Sequence, residues 1–460
     1  MKYITGKHIF IEHPALQQVI KETKNEYYAK KKKFLKEANL LSCKKISFRE
    51  IDKREIEKSI YNIDRVIFEV TEKCNLNCVY CAFGEMYCGN EARLKEKSNM
   101  KKEDAIKLLE YLYPVWKERE QSGFFQKILI GFYGGEPLMN FPLIETIVQW
   151  AIEHTTTQLT FRFQLTINGL LLNKYADFLV KHDFKTFISI DGDEENMSYR
   201  IDHKGNNCFK QVYSNIMDVK KKYPEYFVKN VNFMTVLHNK NSVEQAVQFC
   251  MTHFNKVPSC SKLNDSGVHP QKRALFTEMY ETVYTKPSQK TEKALMRLGM
   301  GLTGNINFLH SFSGFHFYGY NELLENKDRN EIKIFPAGAC VPFSREIYMT
   351  IDGNLYPCER LDTCFCMGNI HEINVLDAEL MSSQYNQYFK NITPTCTVCR
   401  KIFACDKCLF HIDNIQKNKP QCNNFMTQEM FNNMVSSMIA TFKKYPKLYK
   451  IIMKQKLQPL

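Results

Sequence analysis

The sequence has no apolar run near the ~18 residues that a membrane-crossing helix needs. Its first stretch, MKYITGKHIFIEHP, lacks the apolar core of a secretory signal. A cytoplasmic protein with no membrane partner is the expectation. No zinc-finger helix, helix-turn-helix or aromatic RNA-binding signature accompanies the net charge of +13. The basic balance therefore reads as a solvated, lysine-rich surface, and nucleic acid is not an expected partner. The 12 His show neither HExxH nor paired ligand spacing, so none is assigned to a metal. Internal repeats and low-complexity linkers are missing as well, which leaves compact globular domains. What the chain does have is 17 Cys in 460 residues. In a reducing compartment clustered thiols read as metal-binding or redox groups rather than disulfides. The length suggests two to four domains at roughly 150 residues each.

From residue 66 onward short β-rich runs alternate with amphipathic helical stretches. The runs are VIFEVT (66–71), KILIGFYGG (127–135), FRFQLTIN (161–168), TFISID (186–191) and VNFMTVL (231–237), with a weaker sixth near 256–263. Between them, MKKEDAIKLLEYLYPVWKE, PLIETIVQWAIEH, LLLNKYADFLVKH and SVEQAVQFCMTHF repeat apolar residues at helical spacing. Ser98 or Asn99 is the expected cap of the first helix. Alternation of this kind predicts an α/β fold with a parallel sheet of βαβ units, a partial (β/α)6 TIM-like barrel. In such folds the chemistry sits at the C-terminal ends of the strands. After 264 the pattern becomes irregular and helical to about 335, cysteines dominate from Cys340 to Cys422, and the tail from 426 reads as a helix.

Two cysteine fields carry the chemistry. The first, CNLNCVYC, places Cys74, Cys78 and Cys81 just after the first strand. Iron–sulfur clusters are normally held by four thiolates, so three leave an iron with an open position, the mark of a catalytic rather than a structural metal site. A zinc site completed by a distant His, or unrelated thiols in a loop, are the alternatives. The second field comprises Cys340, Cys358 in GNLYPC, then Cys396, Cys399, Cys405 and Cys408 in CTVCRKIFACDKC, and Cys422. Structural zinc sites and auxiliary iron–sulfur clusters both suit it. Cys43, Cys88, Cys208, Cys250 and Cys260 have no motif and read as small buried residues.

Cys74, Cys78 and Cys81, with aromatic Tyr80 before the last, resemble the cluster motif of the radical S-adenosylmethionine (radical SAM) superfamily. The resemblance implies a 4Fe–4S cluster whose open iron binds the amino and carboxylate groups of S-adenosylmethionine. Reduction then yields a 5′-deoxyadenosyl radical that abstracts a substrate hydrogen. An electron donor such as flavodoxin or ferredoxin is implied as well. Gly134, Gly135, Glu136 and Pro137 match the family's GGEP motif, whose backbone and Glu contact the methionine amino group. Adjacent glycines let a main chain approach a ligand closely. By the same resemblance Asn168 contacts the cofactor, Ser189 and Asp191 face its ribose and methionine portions, Arg200 is a candidate carboxylate partner, and Leu237 packs near the adenine.

The second field is similar to the SPASM domain that follows many peptide-modifying radical SAM barrels. It keeps Gly-x4-Cys (Gly353, Cys358) and Cys-x2-Cys-x5-Cys, but has two residues rather than three between Cys405 and Cys408. The resemblance implies two auxiliary clusters, an outer one on Cys396, Cys399, Cys405 and Cys422 and an inner one on Cys340, Cys358 and Cys408. The inner set is one ligand short; Cys364 or Cys366 would complete it, or one iron is open. Five segments are implied: an N-terminal accessory segment (1–62) for precursor docking, the barrel (63–264), a helical connecting segment (265–335), the SPASM domain (336–425) and a C-terminal helix (426–460). The implied substrate is a ribosomally made precursor peptide of the Gly-Gly leader type, receiving a thioether or carbon–carbon cross-link or a related modification. The alternatives are a sulfatase-type maturase forming formylglycine, for which Glu359 stands where Asp is expected as the catalytic base, and a non-enzymatic zinc or iron–sulfur module.

Overall fold

The computed structural model describes residues 2–5, 8–11, 33, 37, 45–89, 96–265, 267–280, 331–359, 361, 363–402, 405, 407–417 and 419–444. Cys43 and most of the connecting segment (281–330) lie outside the described residues. The chain forms two compact units. One comprises Met1–Ile51, Pro287–Cys340 and Gln384–Leu460; the other comprises Asp52–Lys286 and Val341–Ser383.

In the first unit β1 (Lys2–Thr5) pairs antiparallel with β2 (His8–Ile11), and β3 (Lys45–Phe48) pairs in parallel with β10 (Glu331–Ile334). β10 falls where a helical segment was expected. Its partner lies far away in sequence, so no local pattern announces it. α10 (Gln428–Lys444) occupies the expected C-terminal helix. Among the described residues no helix is long and apolar enough to cross a membrane.

The second unit holds α1 (Lys53–Tyr61) and a 9-stranded sheet. Its strands are β4 (Arg65–Thr71), β5 (Gln126–Gly134), β6 (Leu159–Ile167), β7 (Lys185–Ser189), β8 (Val231–Leu237), β9 (Ser259–Lys262), β11 (Ile347–Met349), β12 (Asn354–Tyr356) and β13 (Gly368–Asn369). β4 to β9 are the six expected runs, each parallel to the next, and the order β13-β12-β11-β4-β5-β6-β7-β8-β9 leaves the sheet unclosed. The crossovers carry α2 (Lys102–Gln121), α3 (Phe141–Glu153), α4 (Leu172–Lys181), α5 (Phe209–Lys222), α6 (Pro224–Asn230), α7 (Val243–Phe254) and, after β9, α8 (Arg273–Met279). α9 (Ala378–Val398) follows β13.

Strand alternation divides the sheet into two unlike faces. Val66, Phe68, Ile130, Phe132, Leu165, Ile188, Val231 and Phe233 are buried on the helix-covered face. Phe233 stacks on Phe254 of α7 at 4.5 Å and packs beside Phe227 of α6. The other face carries Arg162, Gln164, Thr166, Lys185, Ser189, Asn232 and Met234, all half-buried or exposed. This face is thus less buried and carries more polar groups than the helix-covered one, which holds the larger apolar core.

α2 does not use the expected cap. Its N-cap is Lys101, without a side-chain hydrogen bond. Asn99 Oδ1 instead accepts from Thr71 Oγ1 at 2.6 Å, and Ser98 exchanges hydrogen bonds with Glu72. Both residues are recruited to the end of β4. Phe233→Ala removes a fully buried ring from the helix-covered face. It is expected to destabilise the protein by about 3–5 kcal/mol, read as a lower urea midpoint with the far-UV spectrum unchanged.

Candidate active site

The cysteine loop leaves β4 at Thr71 and is held at its stem by the end of β5. Gly135 N donates to Thr71 O at 2.8 Å and Glu136 N to Lys73 O at 2.8 Å. This contact explains the glycine pair. A Cβ on Gly134, at φ +133°, would lie 2.2 Å from Thr71 O, and one on Gly135 would lie 2.3 Å from Lys73 O. Sequence reading gave the glycines to close approach of a ligand; the structure shows them admitting the chain that carries the thiols.

The loop is braced on its other side by a hairpin at 199–207. Asn77 N donates to Ile201 O at 2.7 Å, Val79 N to Tyr199 O at 3.0 Å, and His203 Nε2 meets Cys74 O at 2.8 Å. Cys74, Cys78 and Cys81 are close enough for their charges to act on one another. Burial pushes the Cys74 thiol up to about 11 and Cys78 up to about 12, with Lys97 opposing at the first and Arg200 at the second. Thiols that ionise with such difficulty become thiolates when a metal ion supplies the positive charge. The donor set fits a metal centre.

Beneath the loop sits Asp191, 0 % exposed. It accepts from the Tyr80 hydroxyl, from Arg200 Nε at 2.9 Å and Nη2 at 3.2 Å, and from Val236 N at 2.9 Å. Burial opposes the charge, but Arg200 and these donors outweigh it and leave the Asp191 carboxyl below its usual range. Burial likewise holds the Tyr80 hydroxyl far above the usual tyrosine value. His238, also 0 % exposed, stacks on Tyr80 at 5.7 Å, with Nε2 3.7 Å from Asp191 Oδ2 and Nδ1 accepting from Lys240 N at 3.2 Å. No His was assigned from the sequence. His238 had one signal, its place directly after the fifth strand.

The remaining candidates divide between the two faces. Glu136 is 1 % exposed; it accepts from Asn168 N at 2.8 Å and Leu138 N at 3.2 Å, and burial pushes it up to about 7. Pro137 opens the short 3-10 turn that Glu136 caps. Asn168 Nδ2 donates to Asn75 Oδ1 at 2.6 Å and lies 3.8 Å from Cys74 Sγ, joining the third strand's end to the loop. Ser189 is half-buried on the interior face. Leu237 is 0 % exposed and shares the helix-covered side with Phe233, while Val236 takes the interior position at the end of the fifth strand.

In the first unit Cys396, Cys399, Cys405 and Cys422 gather, and burial pushes Cys396 up to about 12 with the other three charges acting in the same direction. Cys405 is raised by burial too, against the opposing pull of Lys401. Four thiols gathered in this way suit an iron–sulfur cluster, which normally takes four. Cys340 and Cys408 belong to this unit and Cys358 to the other. Cys358 Sγ donates to Glu359 at 3.4 Å, and Glu346, missed in the sequence, faces both. Burial and the Glu359 carboxyl push Glu346 up, with Arg65 at 3.6 Å opposing. Cys364 is exposed, and Cys366 Sγ donates to Gly368 O at 3.1 Å. Of the unassigned cysteines, Cys208 and Cys250 are buried as expected and Cys260 is half-buried. Cys88 departs from expectation and is exposed, in the turn after the thiol loop.

Arg200→Met leaves Asp191 buried without its cation, and a loss of about 3–5 kcal/mol is expected in urea unfolding at neutral pH. The folded Asp191 carboxyl lies below its ordinary value. Its stabilising contribution is therefore present above about pH 4 and fades as pH falls through the lower folded value, so the gap between wild type and variant narrows in acid.

Residues 68–250 match the Radical SAM superfamily. An uncharacterized protein of Methanocaldococcus jannaschii is 26 % identical over 326 residues, 69 % of this chain and 93 % of that protein. The radical SAM cyclopropyl synthase TigE of Paramaledivibacter caminithermalis is 27 % identical over 184 residues, 38 % of this chain and 37 % of TigE. Native anSMEcpe with bound AdoMet aligns with a TM-score of 0.50 at 18 % identity, covering 85 % of this chain and 99 % of that one, a likeness of fold. The family match takes in most of the strand that leads to the three-thiol loop and the whole strand that clips it, and the chain carries a Radical SAM domain, the domain of enzymes that use S-adenosylmethionine.

Proposed function

We propose that this enzyme is a SPASM-type maturase that abstracts hydrogen from a ribosomally made precursor peptide, leaving a thioether or carbon–carbon cross-link or a related oxidation. The observation that carries the reading is the three-thiol loop, pinned at the C-terminal end of β4 by the main chain at the end of β5. TigE, a cyclopropyl synthase by name, and anSMEcpe with bound AdoMet and Cp18Cys peptide support a peptide as the substrate.

The cluster with S-adenosylmethionine supplies the hydrogen-abstracting radical when bound and reduced. Cys74, Cys78 and Cys81 would hold that cluster. Asn168, Ser189 and the main chain at Gly134–Glu136 border the place where the nucleotide would lie. Tyr80, Asp191 and Arg200 are buried against one another and act by fixing the loop. Glu359 would accept a proton at the Cys358 end of the sheet. Cys396, Cys399, Cys405 and Cys422 would hold an outer auxiliary cluster, and Cys340, Cys358 and Cys408 an inner one. The first 62 residues would dock the precursor, the segment 336–425 would form the SPASM domain, and a flavodoxin or ferredoxin in the cytoplasm would deliver electrons.

Anaerobically purified protein is expected to be brown and, once reduced, to cleave S-adenosylmethionine to 5′-deoxyadenosine. Cys78→Ala is expected to abolish cleavage. Colourless protein carrying zinc and no iron would overturn the reading. Co-expression with a short peptide encoded beside the gene, followed by mass measurement, is expected to show loss of hydrogen pairs. Formylglycine formed in a sulfatase peptide instead would establish the other maturase class.

A further inference from the structure

His238 brings to Asp191 a donor for which the carboxylate has no place. Asp191 Oδ2 already accepts from the Tyr80 hydroxyl and Arg200 Nε, and Oδ1 accepts from Arg200 Nη2 and Val236 N. A carboxylate offers about four lone-pair sites, so this one is full. The Nδ1 of His238 accepts from Lys240 N, which leaves the ring proton on Nε2. Nε2 lies 3.7 Å from Asp191 Oδ2, too far for a hydrogen bond. Among the described residues it has no partner, at 0 % exposure. A buried donor left without an acceptor costs stability. A phenylalanine in this position would keep the stacking on Tyr80 and carry no such cost.

The donors ride on different parts of the chain. Tyr80 belongs to the loop itself, between Cys78 and Cys81. Arg200 belongs to the bracing hairpin, Val236 to β8, and His238 follows that strand directly. Asn241 ties His238 to the strand end. Its Oδ1 accepts from His238 N at 2.9 Å, and its Nδ2 donates to Val236 O at 2.9 Å and Asp191 O at 3.2 Å. The same burial that pushes up the Cys74 and Cys78 thiols keeps a metal from reaching them, so the loop must open to be loaded. Opening withdraws the Tyr80 hydroxyl and vacates one site on Asp191 Oδ2. We propose that His238 is a positioning residue whose Nε2 fills that site while the thiol loop is open. A shift of about 0.8 Å brings it to hydrogen-bond distance. Asp191 then stays paired and in place, with Arg200 still on it, and the loop keeps an anchor on which to close.

This role rests on the loop binding the cluster, and the test separates the two. In the full-length, metal-free chain the rate at which iodoacetamide alkylates Cys78, read by peptide mass spectrometry, reports how often the loop opens. Cys88, exposed in the turn after the loop, is the control and is expected to react alike in every protein. His238→Phe removes the waiting donor and is expected to slow Cys78 about tenfold, because the open loop then leaves Asp191 a donor short. A merely structural loss would loosen the loop and speed the reaction instead. His238→Gln, which again offers a donor and an acceptor, is expected to recover most of the rate. In Tyr80→Phe the site on Oδ2 is vacant without opening. There the Nε2 proton of His238, identified by its loss in His238→Gln, is expected to move downfield in NMR spectra of protein with isotope-labelled histidine. Should His238→Phe fail to fold, that proton decides alone. A Cys78 rate in His238→Phe equal to or above the parent's, or an unmoved Nε2 proton in Tyr80→Phe, overturns the role of His238 and leaves the cluster reading standing. A parent that takes up no iron on anaerobic reconstitution overturns the cluster reading, and with it the reason for the loop to open.

Discussion

One buried carboxylate organises the loop that carries the chemistry. Asp191 receives Tyr80 from the thiol loop, Arg200 from the bracing hairpin and the Val236 amide from the next strand. An ionised carboxylate without partners is not tolerated in such a place. All three donors must therefore arrive together, and the loop acquires one shape rather than several. A buried ion pair adds little net stability over well-packed apolar groups, but breaking it is costly. Its value here is registry: it places Cys78 and Cys81 relative to the strand ends that would receive the nucleotide.

The sheet divides its labour between faces and between ends. Apolar side chains under the helices supply cohesion, so the interior face is free to be polar. At the C-terminal end of β4 the glycine clip and the Asp191 hub fix three thiols. At its N-terminal end the short strands β11 and β12 bring a thiol and two carboxyl groups into contact.

The six parallel strands and most of their helices were legible because period and turn chemistry are local properties. The thiol loop was legible because its spacing is compact. Failures came where a distant partner decides the outcome. Ser98 and Asn99 look like helix caps until Thr71 and Glu72 claim them. The pairing of Asp191 with Arg200, which no local pattern shows, joins the end of the fourth strand to the hairpin that follows it. β10, His238 and Glu346 gain their roles from residues far away in the chain, so no window of sequence displays them.

The partners of Tyr80 also set an order of events during synthesis. Asp191 lies 111 positions after Tyr80, and the amide of Val236 comes later still. The ribosome delivers the thiols long before it delivers what shapes them. Nascent chains therefore expose a loose cysteine trio that cannot yet select its metal. Iron insertion belongs after the eighth strand has docked, and a cell making this protein quickly in air would be expected to lose those sulfurs to oxidation first.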